Sequence, residues 1–377
     1  MNPAPVSPFH AITISRLAHQ LQAEGRSIIH MEFGQPSTGA PPSAIEAAKQ
    51  ALDAEPGAYW ESPKLRERIA QLYAERHGIA IESDRIVLTC GASPALVLAL
   101  TALFCPGDRI AFVRPGYVAY RNTISALGRV PIEIEADQHT RFQIAASHIE
   151  ALADAPAGII VASPANPTGT MVDKAELAKI AAVAKRRGIR IISDEIYHGL
   201  SYVEPAHSML EFDLDAIVVN SFSKYFSMVG WRLGWIVAPP GTSDILRAYL
   251  GNMFLTAPSF SQHAALAAMD ETDVLERYRE TYRRNRALLL DILPQLGLSE
   301  IAPPDGAFYI WANVSAFTND SLDFCRRLLL DTGVTIAPGI DFDPVNGHRF
   351  VRFSFAVSEA ETREAIDRFG RWLRTQG

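Results

Sequence analysis

The stretch "GIIVASPANPTGTMVDKAELAKIAAVAKRRGIRIISDEIY" (residues 158–197) contains the unit from which much of this chain is built. Its first and last runs, 158–163 and 189–193, are almost entirely apolar, which is typical of strands buried on both faces of a parallel sheet. Between them, Asp173 is placed to cap a helix, Glu176 is placed to complete a capping box, and basic residues precede a glycine stop. Strand, helix and strand in this order predict a parallel sheet covered by helices.

The same alternation continues on both sides of this unit. The further strand candidates are residues 85–90, 109–113, 130–135, 216–221 and 233–238. A helix is predicted after the first of them, with Ser93 as its N-cap and Pro94 at its first position. We therefore expect an α/β fold whose large domain, residues 41–272, is a three-layer α/β/α arrangement around a mostly parallel sheet.

The pattern changes near residue 270, where a long charged helix is predicted over residues 273–293. The strand candidates after it are residues 307–314, 334–339 and 349–356. This order predicts a smaller α+β domain over residues 273–377. In the N-terminal segment, residues 1–40, a helix pattern places four apolar residues on one side, and we expect that segment to pack with the small domain. They are Phe9, Ile12, Leu17 and Leu21.

Composition limits the class of protein. The chain has 377 residues, of which 48% are hydrophobic, and this exceeds the roughly 250–300 residues at which single cores stop growing. A net charge of −7 argues against a nucleic-acid or acidic-membrane partner. The longest strongly apolar run, residues 95–104, is about half of what a membrane helix needs. Three cysteines and the lack of a signal-peptide pattern at the N-terminus predict a cytoplasmic protein without disulfides.

The segment "NSFSKYFSMVGWRLGW" (220–235) places Lys224 among apolar neighbours such as Phe222, Phe226 and Trp231. Desolvation lowers the pKa of a lysine and makes it a nucleophile that can form a Schiff base with a carbonyl. Taken alone, the segment also fits a surface lysine in a loop, which is the more common situation.

Two nearby patterns are suited to binding a phosphate group. The Arg232 guanidinium and the hydroxyl groups of Ser221 and Ser223 follow one strand closely. In "CGASP", a strand turns into a helix, so the N–H groups of Ala92 and Ser93 are expected to face an anion. Read alone, the second pattern fits an ordinary turn with a good helix cap equally well.

Other polar and aromatic residues follow the predicted strand ends, where ligands bind in open α/β sheets. Asp194 has no cationic neighbour in sequence, so it either pairs with a ligand cation or caps a turn, and Tyr197 follows it. Asn166 lies in the turn sequence "NPTG", and Tyr117 is either a core aromatic or a platform for a flat ring. A phosphate site, a nucleophilic lysine, an isolated carboxylate and a stacking aromatic together fit pyridoxal 5'-phosphate.

These motifs resemble those of the class I/II aminotransferases, fold-type I pyridoxal-phosphate enzymes of the aspartate aminotransferase superfamily. The resemblance extends over nearly the whole chain, and "SFSKYFSMVGWRLG" is its most specific part. It implies that Lys224 is the Schiff-base lysine and the general base, and that Asp194 pairs with the ring nitrogen. The other cofactor contacts that it implies are Ala92, Ser93, Ser221 and Arg232 on the phosphate, Ser223 beside them, Tyr117 on the ring face, and Asn166 and Tyr197 on the ring hydroxyl.

The resemblance also implies a substrate site and a second subunit. Gly34 of "FGQPS" and Arg352 of "VRFSFA", together with Asn166, are expected at the substrate carboxylate. Tyr59 resembles the tyrosine that reaches the phosphate of the partner subunit, which implies a homodimer, although the segment that follows it is shorter than usual. The aromatic residues that hint at a non-acidic substrate side chain are Tyr59, Trp60, Phe254 and Phe260.

The function implied is transfer of an amino group between an L-amino acid and a 2-oxo acid by a ping-pong mechanism, and no metal is predicted. A pyridoxal-phosphate-dependent β-C–S lyase, or an enzyme like aminocyclopropane-carboxylate synthase, would need the same residues and stays open. A DNA-binding regulator with this fold is not expected, because the aminotransferase-like pattern starts within the first 40 residues and the chain is acidic. A nucleotide-binding Rossmann enzyme is not expected either, since no G-x-G-x-x-G motif follows a strand.

Overall fold

The computed structural model describes residues 6–54 and 57–375. Its strands are β1 (Ile29–Met31), β2 (Ile86–Thr89), β3 (Arg109–Arg114), β4 (Val130–Glu135), β5 (Gly158–Ala162), β6 (Arg190–Asp194), β7 (Ile217–Ser221), β8 (Gly234–Val237), β9 (Tyr309–Asn313), β10 (Val334–Pro338) and β11 (Phe350–Ser354). Its α-helices are α1 (His10–Ala23), α2 (Pro42–Ala54), α3 (Pro63–His77), α4 (Ala92–Leu103), α5 (Val118–Ala126), α6 (Ala146–Ala151), α7 (Lys174–Arg187), α8 (Ser243–Met253), α9 (Ser259–Ala268), α10 (Thr272–Gln295), α11 (Ser321–Thr332) and α12 (Glu359–Leu373).

The larger sheet has seven strands in the order β2-β8-β7-β6-β5-β3-β4. The five strands β7-β6-β5-β3-β4 are parallel to one another. Strand β8 runs antiparallel to both of its neighbours, β2 and β7. Successive residues of β5 enter different cores: Ile159 packs in the same cluster as Ile180 of α7, and Ile160 in the same cluster as Leu98 of α4. The predicted three-layer α/β/α arrangement is therefore confirmed, and burial on both faces explains why these strands are apolar throughout.

The smaller sheet has the order β1-β10-β11-β9. Its first strand comes from the N-terminal part of the chain and pairs in parallel with β10, so that Ile29 lies opposite Val334. Helix α1 also packs on β10. This pairing supports the proposed association of residues 1–40 with residues 273–377, apart from a large domain of residues 41–272. The exact boundaries stay a prediction, and residues 1–5, 55, 56, 376 and 377 lie outside the described residues.

One predicted helix start and one predicted capping box are wrong. The N-cap of α4 lies two residues before the predicted N-cap Ser93, because Gly91 takes that position with a φ of +104° that favours glycine. In α7, the Asp173 carboxylate accepts a hydrogen bond from the N–H of Glu176, as predicted. The Glu176 carboxylate does not bond back to it and instead accepts from the N–H of Ala146, at 2.7 Å.

The N-terminal helix packs through most of the predicted side: Leu21 is buried, and Leu17 and Phe9 lie against apolar clusters. The Asp341 carboxylate accepts hydrogen bonds of 2.8 Å from the N–H groups of both His10 and Ala11, which holds the start of α1. Ile12, also predicted on the packed side, is instead 45% exposed, because the buried stripe of the helix runs through Ala11, Ile14 and Ala18. Among the described residues, we find no helix with the length and apolar content needed to cross a membrane.

Candidate active site

A cavity of about 280 Å³ lies at the carboxyl ends of β5, β6 and β7 and is bordered on another side by β9 and β11. Parallel strands end at one edge of a sheet, so the loops that follow them converge there. The cavity brings together all the predicted site residues except Tyr59. Those that line it are Gly34, Ala92, Ser93, Tyr117, Asn166, Asp194, Tyr197, Ser221, Ser223, Lys224, Arg232 and Arg352.

Lys224 lies in the loop after β7, and its Nζ donates a hydrogen bond to the carbonyl oxygen of Gly34. The ammonium nitrogen is 5.8 Å from the ring centroid of Tyr197. Desolvation lowers the pKa of Lys224 to about 8, and the positive charges of Arg352 and Arg232 act in the same direction, while Asp194 opposes them. With a pKa of about 8, roughly a tenth of this lysine is neutral at pH 7, far more than for an ordinary lysine, and the neutral amine can act as a nucleophile or a base.

Asp194, the last residue of β6, is 9% exposed. One carboxylate oxygen accepts a hydrogen bond from the hydroxyl of Tyr120, and the other accepts from the N–H of Ile196 at 3.2 Å. Burial raises the pKa of Asp194, and both hydrogen bonds act against that rise because they favour the ionised form. Sequence reasoning did not single out Tyr120, although it follows Tyr117 by three residues at a spacing that places both on one side of α5.

One end of the cavity is built around Arg232, whose side chain is exposed. Its guanidinium donates to the carbonyl oxygens of Val229, at 3.0 Å, and of Cys90, at 3.3 Å. A Cβ atom at Gly91 would lie only 2.6 Å from Nη2 of Arg232. The glycine therefore allows the guanidinium to lie directly beside the start of α4.

Hydroxyl and backbone groups complete this end. The Oγ atoms of Ser221 and Ser223 are 2.9 Å apart, and both residues line the cavity. Ala92 and Ser93 form the first turn of α4, where N–H groups have no partner within the helix and the helix dipole is positive. A guanidinium, two hydroxyl groups and a helix start at one end of a cavity suit an anion with several oxygen atoms.

The other end is built around Arg352, which lies in β11 and is 2% exposed. Its Nη1 donates to Oδ1 of Asn166 at 2.8 Å, and its Nη2 donates to the carbonyl oxygen of Glu32. The guanidinium carbon lies 4.4 Å from the ring centroid of Tyr309 and 4.6 Å from that of Phe342. These contacts fix the plane of the guanidinium, and a fixed guanidinium suits a planar carboxylate.

Tyr197 is buried, and its hydroxyl oxygen lies 2.6 Å from that of Tyr309. Burial raises the pKa of Tyr197 well above its ordinary value, so the hydroxyl stays protonated. A side chain on Gly34 would collide with the Tyr309 hydroxyl, so the backbone at Gly34 approaches this pair closely. Sequence reasoning did not identify Tyr309, because only the packing of the two sheets brings it to the site.

The aromatic residues expected to shape the substrate pocket lie elsewhere. Tyr59 is 80% exposed, and Trp60 stacks on His263. Neither of these two, nor Phe254 or Phe260, lines the cavity of its own chain. Apolar rings reach the cavity instead from two residues of the N-terminal segment, Phe9 and Phe33.

Comparison with known proteins agrees with this geometry. The family model "Aminotransferase class I and II" matches residues 26–369. The valine–pyruvate aminotransferase of Mycobacterium tuberculosis is 43% identical over 380 aligned positions, which cover 99% of this chain and 98% of that protein. A solved structure of an aminotransferase from Mycobacterium tuberculosis superposes with a TM-score of 0.96 at 43% identity, covering 99% of this chain and 98% of that one. For the aspartate aminotransferase from Thermus thermophilus with maleate, the TM-score is 0.90 at 29% identity, with 97% of each chain covered. The chain therefore belongs to the class I and II aminotransferases and is a transaminase.

Proposed function

We propose that this aminotransferase holds pyridoxal 5'-phosphate on Lys224 and transfers the amino group of a small apolar L-amino acid to a 2-oxo acid. The observation that carries the proposal is the position of Lys224. It is half-buried in the cavity, with an anion-binding end around Arg232 and a buried arginine, Arg352, among the other lining residues. A cofactor with a phosphate and an aldehyde, and a substrate with a carboxylate, match these groups.

The residues present fit the cofactor. Because Gly91 has no side chain, the Arg232 guanidinium and the start of α4 together can hold a phosphate. Asp194 is a buried carboxylate that can pair with a protonated ring nitrogen, and Tyr117 offers a ring face. Asn166 and Tyr197 are the proposed partners of the ring hydroxyl. When bound, pyridoxal phosphate supplies an aldehyde for amines and a ring that accepts electrons.

The chemistry that we assign to the chain follows from the same contacts. Arg352, together with Asn166, binds and orients the substrate carboxylate, which fixes the Cα–H bond relative to Lys224. Neutral Lys224 removes the proton from Cα as a general base and, once protonated, returns a proton as a general acid. Its pKa of about 8 is close enough to neutral pH for both roles. Since amino acid and oxo acid share one carboxylate site, they react in turn, which is a ping-pong mechanism.

The substrate class rests on the charges of the cavity. Among the described residues that line it, the cations are Lys224, Arg232 and Arg352, and each already has an assigned role. That leaves no cation from this chain for a second carboxylate, while Phe9 and Phe33 supply apolar surface. The name of the relative from Mycobacterium tuberculosis, a valine–pyruvate aminotransferase, supports the same class. We therefore favour amino acids such as valine and alanine over aspartate.

We also propose a homodimer in the cytoplasm. In the single chain, the side chains of Ser93 and Arg232 are exposed. The anion-binding end around Arg232 can therefore be covered by a partner subunit. Tyr59 is exposed and does not line its own cavity, which fits a role at the site of a partner subunit. Cys90, Cys105 and Cys325 are free thiols, as is usual in a reducing compartment.

The proposed cofactor is tested by its spectrum. Purified protein incubated with pyridoxal phosphate is expected to show a visible absorption band, and borohydride is expected to fix the cofactor on Lys224, as located by peptide mass spectrometry. The substrate class is tested by adding single amino acids and following the loss of that band, with valine and alanine expected to react faster than aspartate. A protein that takes up no cofactor, or fixes it elsewhere, would overturn the proposal.

A further inference from the structure

We propose that Tyr309 is a positioning residue that serves both the cofactor and the substrate carboxylate. Its hydroxyl orients Tyr197, and its ring supports the guanidinium of Arg352. This inference rests on the proposed function, because Tyr197 and Arg352 act there on the cofactor and the substrate. Tyr309 itself is assigned no contact with either ligand.

The hydroxyl groups of Tyr309 and Tyr197 form a buried pair. The oxygens of Tyr309 and Tyr197 are 2.6 Å apart, and the two side chains are 0% and 3% exposed. In such a pair only one hydroxyl donates to the other. If Tyr197 donates to the cofactor ring oxygen, then Tyr309 is the donor to Tyr197. Burial also raises the pKa of Tyr309 to about 12, so its proton is retained for this role. Hydrogen bonds in a chain strengthen one another, which makes Tyr197 a better donor.

The register of the smaller sheet places the Tyr309 ring beside Arg352. In the antiparallel pairing of β9 with β11, Tyr309 lies opposite Ser354 and Arg352 lies opposite Trp311. Residues two apart on a strand share a face, so Tyr309 and Arg352 are diagonal neighbours. The guanidinium carbon lies 4.4 Å from the centroid of the Tyr309 ring, within the range of a cation–π contact.

Tyr309 also connects the two sheets. It is the first residue of β9 in the smaller sheet, and Tyr197 follows β6 of the larger sheet. The Tyr309 hydroxyl occupies the space that a side chain on Gly34 would need, and the Gly34 carbonyl accepts from Lys224. One side chain therefore contacts Tyr197, Arg352 and the glycine whose carbonyl accepts from Lys224.

Two substitutions separate the two roles. Tyr309→Phe removes the hydroxyl and keeps the ring, whereas Tyr309→Leu removes both. The matched control is Tyr282→Phe: Tyr282 is also buried, and its hydroxyl oxygen lies 3.0 Å from Oγ1 of Thr38. Tyr282 does not line the cavity. Circular dichroism and thermal unfolding check that each variant is folded.

The first readout is the pH titration of the visible band of the cofactor-loaded protein. A hydrogen bond to the ring oxygen stabilises the form that has lost its proton, so weakening it raises the titration midpoint. For Tyr309→Phe we expect an upward shift of about half a unit to one unit, the effect of one ordinary hydrogen bond. Tyr282→Phe is expected to leave the midpoint at the wild-type value.

The second readout is the Kd of isovalerate, an unreactive monocarboxylate, measured from the spectral change on binding. Tyr309→Phe is expected to retain the wild-type Kd, because the ring stays beneath Arg352. Tyr309→Leu is expected to raise it about three- to thirtyfold through loss of the cation–π contact.

The outcomes separate this inference from the proposed function. A Tyr309→Phe midpoint equal to that of the control would overturn the hydroxyl role, and an unchanged Kd in Tyr309→Leu would overturn the ring role. A wild-type protein without a visible band would instead overturn the proposed cofactor, whatever the variants do.

Discussion

The two arginines proposed to bind anions at the ends of the cavity lie in different settings. Arg232 is exposed, lies in a loop with a φ of +52°, and is held by backbone carbonyls. Arg352 is buried in a strand, bonded to Asn166 and enclosed between two rings. The buried arginine is preorganised and favours one planar anion, because its geometry cannot adjust cheaply. The exposed arginine relies on several surrounding donors, and its open side can be completed by another surface.

The largest effect is expected from removing Lys224, the proposed general base. Lys224→Ala is expected to lower the rate of the half-reaction about 10⁴-fold, because it removes the base that moves the Cα proton. Binding of the amino acid should persist, since Arg352 and Asn166 are intact. Single-turnover absorbance measures the rate, and added methylamine, a small replacement base, should restore part of it. Substantial turnover without added amine would contradict the assignment of the base.

Conservative changes at the two arginines test the comparison directly. Arg352→Lys keeps the charge but loses the bidentate geometry and the ring contacts, so kcat/KM for the amino acid should fall about 10- to 100-fold. Arg232→Lys should instead raise the Kd of pyridoxal phosphate about tenfold, with a smaller effect on kcat/KM at saturating cofactor. Fluorescence titration and half-reaction kinetics measure the two quantities. If both variants changed the same quantity, the two ends would not be separate sites.

The two arginines should also differ in their effect on Lys224. Only the neutral amine attacks the aldehyde, so uptake of pyridoxal phosphate by the cofactor-free protein should rise with pH. The half-maximal rate is expected near the lysine pKa of about 8 rather than near its ordinary value of 10.5. Burial is the main cause of that low pKa, and the charge of Arg352 contributes more than that of Arg232. Arg352→Gln should therefore raise the midpoint more than Arg232→Gln, and stopped-flow absorbance would reveal the opposite order if this is wrong.

The smallest effect is expected from Tyr59, which we propose to reach the anion-binding end around Arg232 in the partner subunit. If Tyr59 of one subunit reaches the phosphate bound in the other, Tyr59→Phe removes one hydrogen bond and raises the Kd of pyridoxal phosphate about three- to tenfold. Tyr249→Phe, in α8, is the matched control, because Tyr249 is also exposed and does not line the cavity of its own chain. Sedimentation at several protein concentrations checks that a dimer is present. An unchanged Kd in a dimeric protein would leave Tyr59 without the proposed role.

Local sequence pattern was sufficient to predict that certain groups lie together at the cavity, whereas their roles stay predictions. Lys224 in an apolar segment and Asp194 at the end of a buried strand both line the cavity, as expected. Local sequence pattern was insufficient where the packing of distant elements decides which side chains reach the site or the core. Tyr309 reaches the site only because two sheets meet, and Ile12 is exposed because the buried stripe of α1 runs through Ala11, Ile14 and Ala18. The N-cap of α4 is also two positions earlier than predicted: Gly91 occupies it, whereas the capping preference of serine had favoured Ser93.

The cavity differs in electrical sign from the protein that contains it. The chain carries a net charge of −7, yet the charged residues described around the cavity are three cations and one carboxylate. A concave positive site in an acidic protein focuses field lines and attracts small anions while the remaining surface repels them. Encounter with phosphate esters and carboxylates is then faster at low ionic strength and slows as salt screens the field. Inorganic phosphate and sulfate would enter the same field, so they act as competitors in any buffer that contains them.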